Sequence, residues 1–418
     1  MNEKDKRIIR RFFSKYYSRH KVTVPSHFKQ REFGIIPIEL GTMIRHLGFE
    51  SEQSFINYIV THTPLHIYYS SALYQKPAVK NMSEKQWLGA ELIFDIDADH
   101  IDTPCKKHHD FWICNNCGFM GRGNIPEKCP KCGLKDFKEE KWLCRECLNA
   151  AKEETFKLID DFLIPDFGFS KKELQIVFSG QRGYHIHVNR EDIYKLDQFG
   201  RREIANYVMG QGFTPEYHGF IKGKQGLTAP SLKEIGWRGK SIKALIAFLE
   251  KSKDVNYFKQ ISGVSDITAQ KLFDNKELLL KILSSETVYL SAVKNLKAQV
   301  IYNLLIKAIK DYGCKIDAPV TGDIKRLIRM PESLHGKTGF VVKSLSYNEL
   351  EKFEPFKDAI IFKKGTLLIT LTDNAQEIII NNELYGPFKK GDRIEVPTAT
   401  AIFLILQKKA TVGSEDNV

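Results

Sequence analysis

Acidic residues alternate through the apolar run GAELIFDIDAD as Asp95, Asp97 and Asp99. A strand's two-residue period puts these acids on one face and Phe94, Ile96 and Ala98 on the other. Carboxylates this close repel one another, and a divalent cation between them relieves the repulsion. Mg²⁺ takes one or two carboxylates together with phosphate oxygens, so the pattern suits a nucleotide-bound metal. Acids at a strand end that simply face water are the alternative. In SGQRGYHIHV, Ser179, Arg182 and His185 surround Gly180 and Gly183 between two apparent strands. Glycines there let backbone amides approach an anion, while Arg and His add charge-assisted hydrogen bonds to phosphate. His187 faces the same side as His185 and reads equally as a hydrogen-bonded core histidine. In CKIDAPVTGDIKRLIRMPESLHGKTGF, the isolated acid Asp317 precedes Lys325, Arg326, Arg329, His335 and Lys337. A surface ion-pair network would contribute little to stability. The composition also suits a triphosphate site with one further metal ligand.

Seven of the eight cysteines lie between Cys105 and Cys147, and in a reducing compartment such crowding points to metal rather than disulfides. Three CxxC pairs, Cys114/Cys117, Cys129/Cys132 and Cys144/Cys147, follow Cys105, His108 and His109, which supplies ligands for two zinc sites. CNNCG and CPKCG carry a glycine after the second cysteine, as a tight metal knuckle favours, and CREC does not. The favoured pairing therefore nests Cys114, Cys117, Cys129 and Cys132 inside an outer site of Cys105, His109 or His108, Cys144 and Cys147. Equal eleven-residue gaps leave a sequential pairing, 129/132 with 144/147, open. Both sites are filled by side chains, so their role is structural or nucleic-acid-contacting rather than catalytic. Cys314 stands apart and reads as a small buried residue.

The elements that must position these groups follow from periodicity. Residues 1 to about 90 read as basic helices with a hairpin formed by REFGIIPIEL and HLGFESEQSFINYIV, and GAELIFDIDAD as a strand near a sheet centre. AAKEETFKLIDDFLIPDF has helical spacing, and LQIVFSGQRGYHIHV reads as strand, glycine turn, strand. IKALIAFLEK, NKELLLKILS and AQVIYNLLIKAIKDYG are helical. Beyond about 350, AIIFKKGTLLITL and QEIIINNELY alternate like strands and TATAIFLILQKKA suits a closing helix, so truncation near 345 would spare activity if this region is an appendage. The last residues, GSEDNV, read as frayed.

The 418 residues suffice for two or three domains, and 63 Lys and Arg against 51 Asp and Glu give a net charge of +12, which favours polyanionic partners. No window approaches the roughly 18 apolar residues of a membrane span. The charged start lacks the features of a signal peptide, so a cytoplasmic protein is expected.

Together, FDIDAD, SGQRGYH and IDAPVTGDIKRLIRMPESLHGKTG, in that order and separated by a zinc segment and helices, resemble the small catalytic subunit of the archaeal and eukaryotic DNA primase, with an archaeal-like character. The resemblance covers roughly residues 1 to 345. It implies an α/β (α+β) primase-type catalytic core with a mixed sheet, an inserted zinc module, a helical insertion and a small β-rich C-terminal appendage. The corresponding boundaries are 1–104, 148–199 and 311–345 for the core, 105–147 for the zinc module, 200–310 for the insertion and 346–418 for the C-terminal region.

It further implies that Asp95, Asp97 and Asp317 hold catalytic Mg²⁺ or Mn²⁺, and that Ser179, Arg182 and His185 hold the nucleotide's phosphates, with Arg329, His335 and Lys337 nearby. Gln181 stands where eukaryotic members often carry a second arginine, and the nested CxxCG pair is an addition to the family's simpler Cys-His-Cys-Cys site. The activity implied is synthesis of short RNA primers on single-stranded DNA from nucleoside triphosphates, by two-metal transfer, to start replication. The implied partners are a large primase subunit, the template with its RNA or DNA primer, and other replication proteins. A related polymerase for gap filling, end joining or lesion bypass would use the same aspartates, and a non-catalytic zinc-ribbon nucleic-acid binder would use none of them.

Overall fold

The computed structural model describes residues 1–413 apart from Lys21, Gln225 and 291–296, so most of the terminal GSEDNV stretch lies outside the described residues. Contacts divide the chain into two compact units. One comprises Met1–Thr155, Lys171–Arg201 and Asp317–Val418, and the other Phe156–Ser170 and Arg202–Ile316.

The first unit contains two four-stranded sheets. One orders its strands Lys343–Leu345, Leu174–Phe178, Gly183–Val188 and Leu92–Asp97, and the other Leu327–Arg329, Pro64–Ser70, Phe33–Pro37 and Ile44–Leu47. Every pairing in them is antiparallel, so the mixed sheet expected from sequence resolves into two antiparallel ones. Strands as apolar as LQIVF and GYHIHV are buried on both faces, and that pattern does not distinguish parallel from antiparallel neighbours. Leu92–Asp97 is an edge strand rather than a central one. Its outer side is covered by the segment at Asp317, whose backbone N–H donates to the Asp95 carbonyl at 2.9 Å.

The expected hairpin forms only over Phe33–Pro37 and Ile44–Leu47. Ser51 then caps a helix, Glu52–His62, through a reciprocal box with Ser54, which turns the second half of the predicted arm helical. The tail is β-rich, with a sheet of Arg393–Pro397, Thr366–Leu371 and Ala410–Val412, and it ends around the helix Thr398–Leu406, all nine residues of which are buried.

In the second unit, the helices Gly236–Lys251 and Ala298–Tyr312 pack together, and a small sheet joins Ile221–Gly223, Gly226–Ala229 and Val288–Tyr289. The sequence reading leaves 156–170 with the core, but that stretch joins the helical unit. Phe162 packs on Trp237, Asp166 pairs with Lys240 at 2.7 Å, and Asp161 accepts from Tyr312. Cys314 is buried. No helix among the described residues is long and apolar enough to cross a membrane.

Candidate active site

Antiparallel register sets the first part of the site. His185 lies opposite Asp95 and Gly183 opposite Asp97. A Cβ at Gly183 would sit 1.9 Å from the Ile96 carbonyl oxygen, so only glycine lets the two strands approach here. His185 Nε2 stands 3.5 Å from an Asp95 oxygen. Asp97 ends the strand and accepts the Asp99 N–H at 2.9 Å, which starts the turn Ala98–His100. Asp99 therefore leaves the strand before it can share the face of Asp95 and Asp97. Its carboxylate pairs with Arg182, and Lys141 of the zinc module approaches it at 3.2 Å.

The turn after Phe178 packs against the third motif. Gly180 has φ +82°, and a Cβ there would meet the His335 Cβ at 2.8 Å. The Thr338 hydroxyl donates to the Gly180 carbonyl at 2.6 Å. Ser179 Oγ accepts from the N–H groups of Gln181 and Gly183, which leaves its own O–H to donate. His335 Nδ1 accepts the Lys337 N–H at 3.2 Å, so its neutral tautomer carries a proton on Nε2. Burial, followed by the charge of Arg329, holds His335 well below the usual histidine range.

A cavity of about 150 Å³ gathers Asp95, Asp97, Ser179, Arg182, His185, Arg326, Arg329 and His335. It shares Asp97, Gln181 and Arg182 with a larger cavity of about 880 Å³, on which Lys337 lies. Desolvation, followed by repulsion from Asp97 and Asp317, pushes Asp95 up to about 7. Asp97 is also raised, first by desolvation and then by Asp99. These acids have been brought together against their own charge, which a divalent cation reverses. Arg182 and His185 line this cavity, and the Nε of Arg182 and Nδ1 of His185 are buried without a hydrogen-bond partner among the described residues.

Sequence reasoning missed His66 and Tyr68, which reach the site from the second sheet. Arg329 donates to His66 Nδ1 at 2.5 Å, and its guanidinium carbon lies 5.0 Å from the centre of the Tyr68 ring. Burial, then Arg329 and Lys337, push His66 down to about 3, so it accepts as a neutral ring. PLHIYYS carries no local signal for this, because the strand pairing of Arg329 with Tyr68 creates the contact. His187 is bonded at Nδ1 to Glu91 (3.2 Å) and Tyr69 (3.3 Å), a buried arrangement behind the cavity. Lys325 is exposed and does not line either cavity.

The cysteine segment forms two compact sets. Ligand atoms of Cys105, His109, Cys144 and Cys147 lie within 4.8 Å of one another, as do those of Cys114, Cys117, Cys129 and Cys132. His108 is exposed and belongs to neither. Sulfur separations of 3.5 to 3.6 Å within the sets approach the roughly 3.8 Å that a tetrahedral ion with bonds of about 2.3 Å requires. The other ring nitrogen of His109 pairs with Asp110 at 2.7 Å, and Asp110 also accepts the Trp142 N–H. That arrangement fixes the tautomer a metal ligand needs. The three aspartates do not form so tight a set.

Residues 133–347 match the family model of the DNA primase small subunit, and residues 112–138 match a rubredoxin-like domain. The DNA primase small subunit of Methanothrix thermoacetophila is 33% identical over 99% of this chain and 100% of the relative. That of Picrophilus torridus is 34% identical over 94% of each, and that of Nitrosopumilus maritimus 29% over 99% of this chain and 100% of the relative. The chain belongs to the DNA primase small subunit family. A primase small subunit is a nucleotidyltransferase, and a cavity joining carboxylates to basic side chains suits that chemistry. The family model begins beyond Asp95 and Asp97, but the full-length relatives span them. The rubredoxin-like match takes in all four inner cysteines of the zinc-binding module.

Proposed function

We propose that this primase small subunit makes short RNA primers on single-stranded DNA, with Asp95, Asp97 and Asp317 holding the divalent ions. The observation that carries this reading is the convergence of Asp95 and Asp97 on a cavity whose other wall is Ser179, Arg182, His185, Arg329 and His335, with Asp317 outside that lining but close enough to repel Asp95. Bound Mg²⁺ or Mn²⁺ supplies a lowered pKa for the attacking 3′-hydroxyl and neutralises charge on the α-phosphate and departing pyrophosphate. Ser179 donates its hydroxyl to a phosphate oxygen, and Arg182 offers its unpartnered Nε edge while Asp99 holds the other. His335 donates from Nε2, and Arg329, braced by His66 and Tyr68, adds fixed positive charge. His185 meets Asp95 and keeps that carboxylate oriented. Lys337, on the wall of the larger cavity, reaches the outer phosphates.

The zinc ions belong to Cys105, His109, Cys144 and Cys147 and to Cys114, Cys117, Cys129 and Cys132. The working protein is a heterodimer with a large primase subunit in the cytoplasm. Primer-free synthesis on single-stranded DNA with labelled nucleotides, with and without that subunit, tests the reading. Dinucleotides and short RNA are expected. Extension of added primers alone would instead identify an end-extending polymerase, and no incorporation under either condition a nucleic-acid binder.

Two sets of variants check the residue roles. Arg182→Lys and His335→Asn are each expected to raise the KM for nucleoside triphosphate about 10- to 100-fold, the loss of one charge-assisted phosphate contact. Steady-state kinetics with template saturating would show an unchanged KM if these side chains face no phosphate. Cys147→Ser and Cys132→Ser are each expected to lower the zinc content from two ions to one. The melting temperature should fall further for Cys147→Ser, because the Asp110 and Trp142 contacts surround the outer set. Elemental analysis with thermal melts decides this, and two retained ions in either variant would contradict the ligand sets.

A further inference from the structure

From Lys6 to Arg31 the chain carries nine Lys or Arg and no Asp or Glu. Most of this stretch is the helix Glu3–Arg19, whose apolar face buries Ile9, Phe13, Tyr16 and Tyr17. The opposite face presents Arg7, Arg11, Lys15 and Arg19 at four-residue intervals, all exposed. Successive members of this row rise by about 6 Å, and the row spans about 18 Å. Its neighbours are already neutralised, since Lys6 pairs with Glu3 at 2.8 Å and Arg10 with Glu39 at 2.6 Å. None of the four row members forms an ion pair among the described residues. A second element extends the row. Phe362 packs on Phe12 and Phe13, which brings the exposed Lys363 and Lys364 beside the helix.

The helix is anchored to the catalytic motifs. The Tyr16 hydroxyl donates to the Glu332 carbonyl at 2.9 Å, and the Tyr17 hydroxyl accepts the Leu334 N–H at 3.2 Å, one residue before His335. Met1 and Lys6 line the 880 Å³ cavity that shares Asp97, Gln181 and Arg182 with the reaction cavity. The unneutralised row therefore begins next to Lys6 of the cavity wall and is held on a rigid support. An evenly spaced line of unpaired cations attracts a polymer of regularly spaced negative charges, whereas an acidic protein patch would need no such regularity.

We propose that this face binds the phosphodiester backbone of the single-stranded DNA template. This rests on the nucleotidyl-transfer reading above. The salt dependence of binding separates it from a merely solvated face, because each neutralised phosphate of a single strand contributes about 0.7 to the slope of log affinity against log salt.

The experiment compares the full-length chain with the variant Arg7→Gln, Arg11→Gln, Lys15→Gln, Arg19→Gln, in which glutamine preserves helix propensity. A control, Lys76→Gln, Lys80→Gln, Lys352→Gln, Lys357→Gln, removes the same charge from other exposed positions. The probe is a labelled single-stranded oligodeoxynucleotide titrated at several salt concentrations. The helix variant is expected to bind at least about tenfold more weakly at 0.1 M salt and to lose up to about 2.8 from the slope. The control should keep most of its slope. The template KM should rise with the loss of binding, and the nucleotide KM should stay within twofold.

Equal slopes in all three proteins, or equal losses in both variants, would overturn the proposal. Unchanged DNA binding with weakened association to the large subunit would also overturn it and assign the face to a protein. A wild-type chain that binds DNA but incorporates no nucleotide would fail the catalytic reading, and the salt comparison would still decide this one.

Discussion

Asp95→Asn is expected to abolish nucleotide incorporation, by at least about 10³-fold, and to raise the melting temperature of the metal-free protein. The two effects have one cause. Asp95 is held at about 7 by burial and by repulsion from Asp97 and Asp317, against an ordinary 3.8. A carboxyl raised in the folded state contributes its full stability only below the unfolded pKa, and that contribution is lost between pH 4 and 7, where the unfolded group ionises while the folded one still holds its proton. The upper limit of this loss is about 4 kcal/mol. Asparagine removes the charge and hence the loss, but it also removes the ligand. The metal-free wild type should therefore melt lower at pH 8 than at pH 5.5 through this group, and millimolar Mg²⁺ or Mn²⁺ should restore stability at pH 8. In Asp95→Asn both the pH dependence and the cation increment should shrink. Melts at the two pH values, with and without the cation, are the measurement. A variant that melts lower than the wild type and still responds to the cation would show that Asp95 does not hold the ion.

What could be read from sequence here was local. Glycine after the second cysteine in CNNCG and CPKCG marks a tight knuckle, and those four sulfurs lie together. Alternation along FDID places Asp95 and Asp97 on one face. The pattern fails one pleat later, because the Asp97 side chain accepts the Asp99 N–H and turns the chain. What could not be read depended on long-range register. The carboxylate strand lies at an edge because Asp317, more than 200 residues later, covers it. His66 and Tyr68 join the site because one short strand, Leu327–Arg329, pairs with theirs. Neither neighbour has a spacing in sequence that would have announced it.

The tail supplies the second large effect: a chain ending at residue 345 is expected not to fold, despite keeping every motif. Alternating strands in this region suggest a separable appendage, but the helix Thr398–Leu406 is buried throughout. Phe403 stacks on Phe340 and meets the edge of Trp142, and Gly339 lies under Ile402. Burying Ile402, Phe403, Leu404, Ile405 and Leu406 contributes about 1.5–3 kcal/mol each, a sum comparable with the whole stability of a domain. The tail also closes the amino terminus, since Asp5 accepts from Thr411 and from the Val412 N–H at 2.9 Å. It reaches the outer zinc set as well. Gln376 donates to the His109 carbonyl at 2.6 Å, Trp142 donates to the Glu377 carbonyl at 2.8 Å, and Lys409 pairs with Glu140. Removing it would expose the wall against which the SLHGKTG turn is packed and loosen the zinc module beside Asp99. Expression of 1–345 should give aggregated or protease-sensitive protein, whereas 1–413 should melt like the full chain. A soluble, cooperatively melting and active 1–345 would restore the appendage reading and require the nucleotide site to be stable without the helix that lies beneath it.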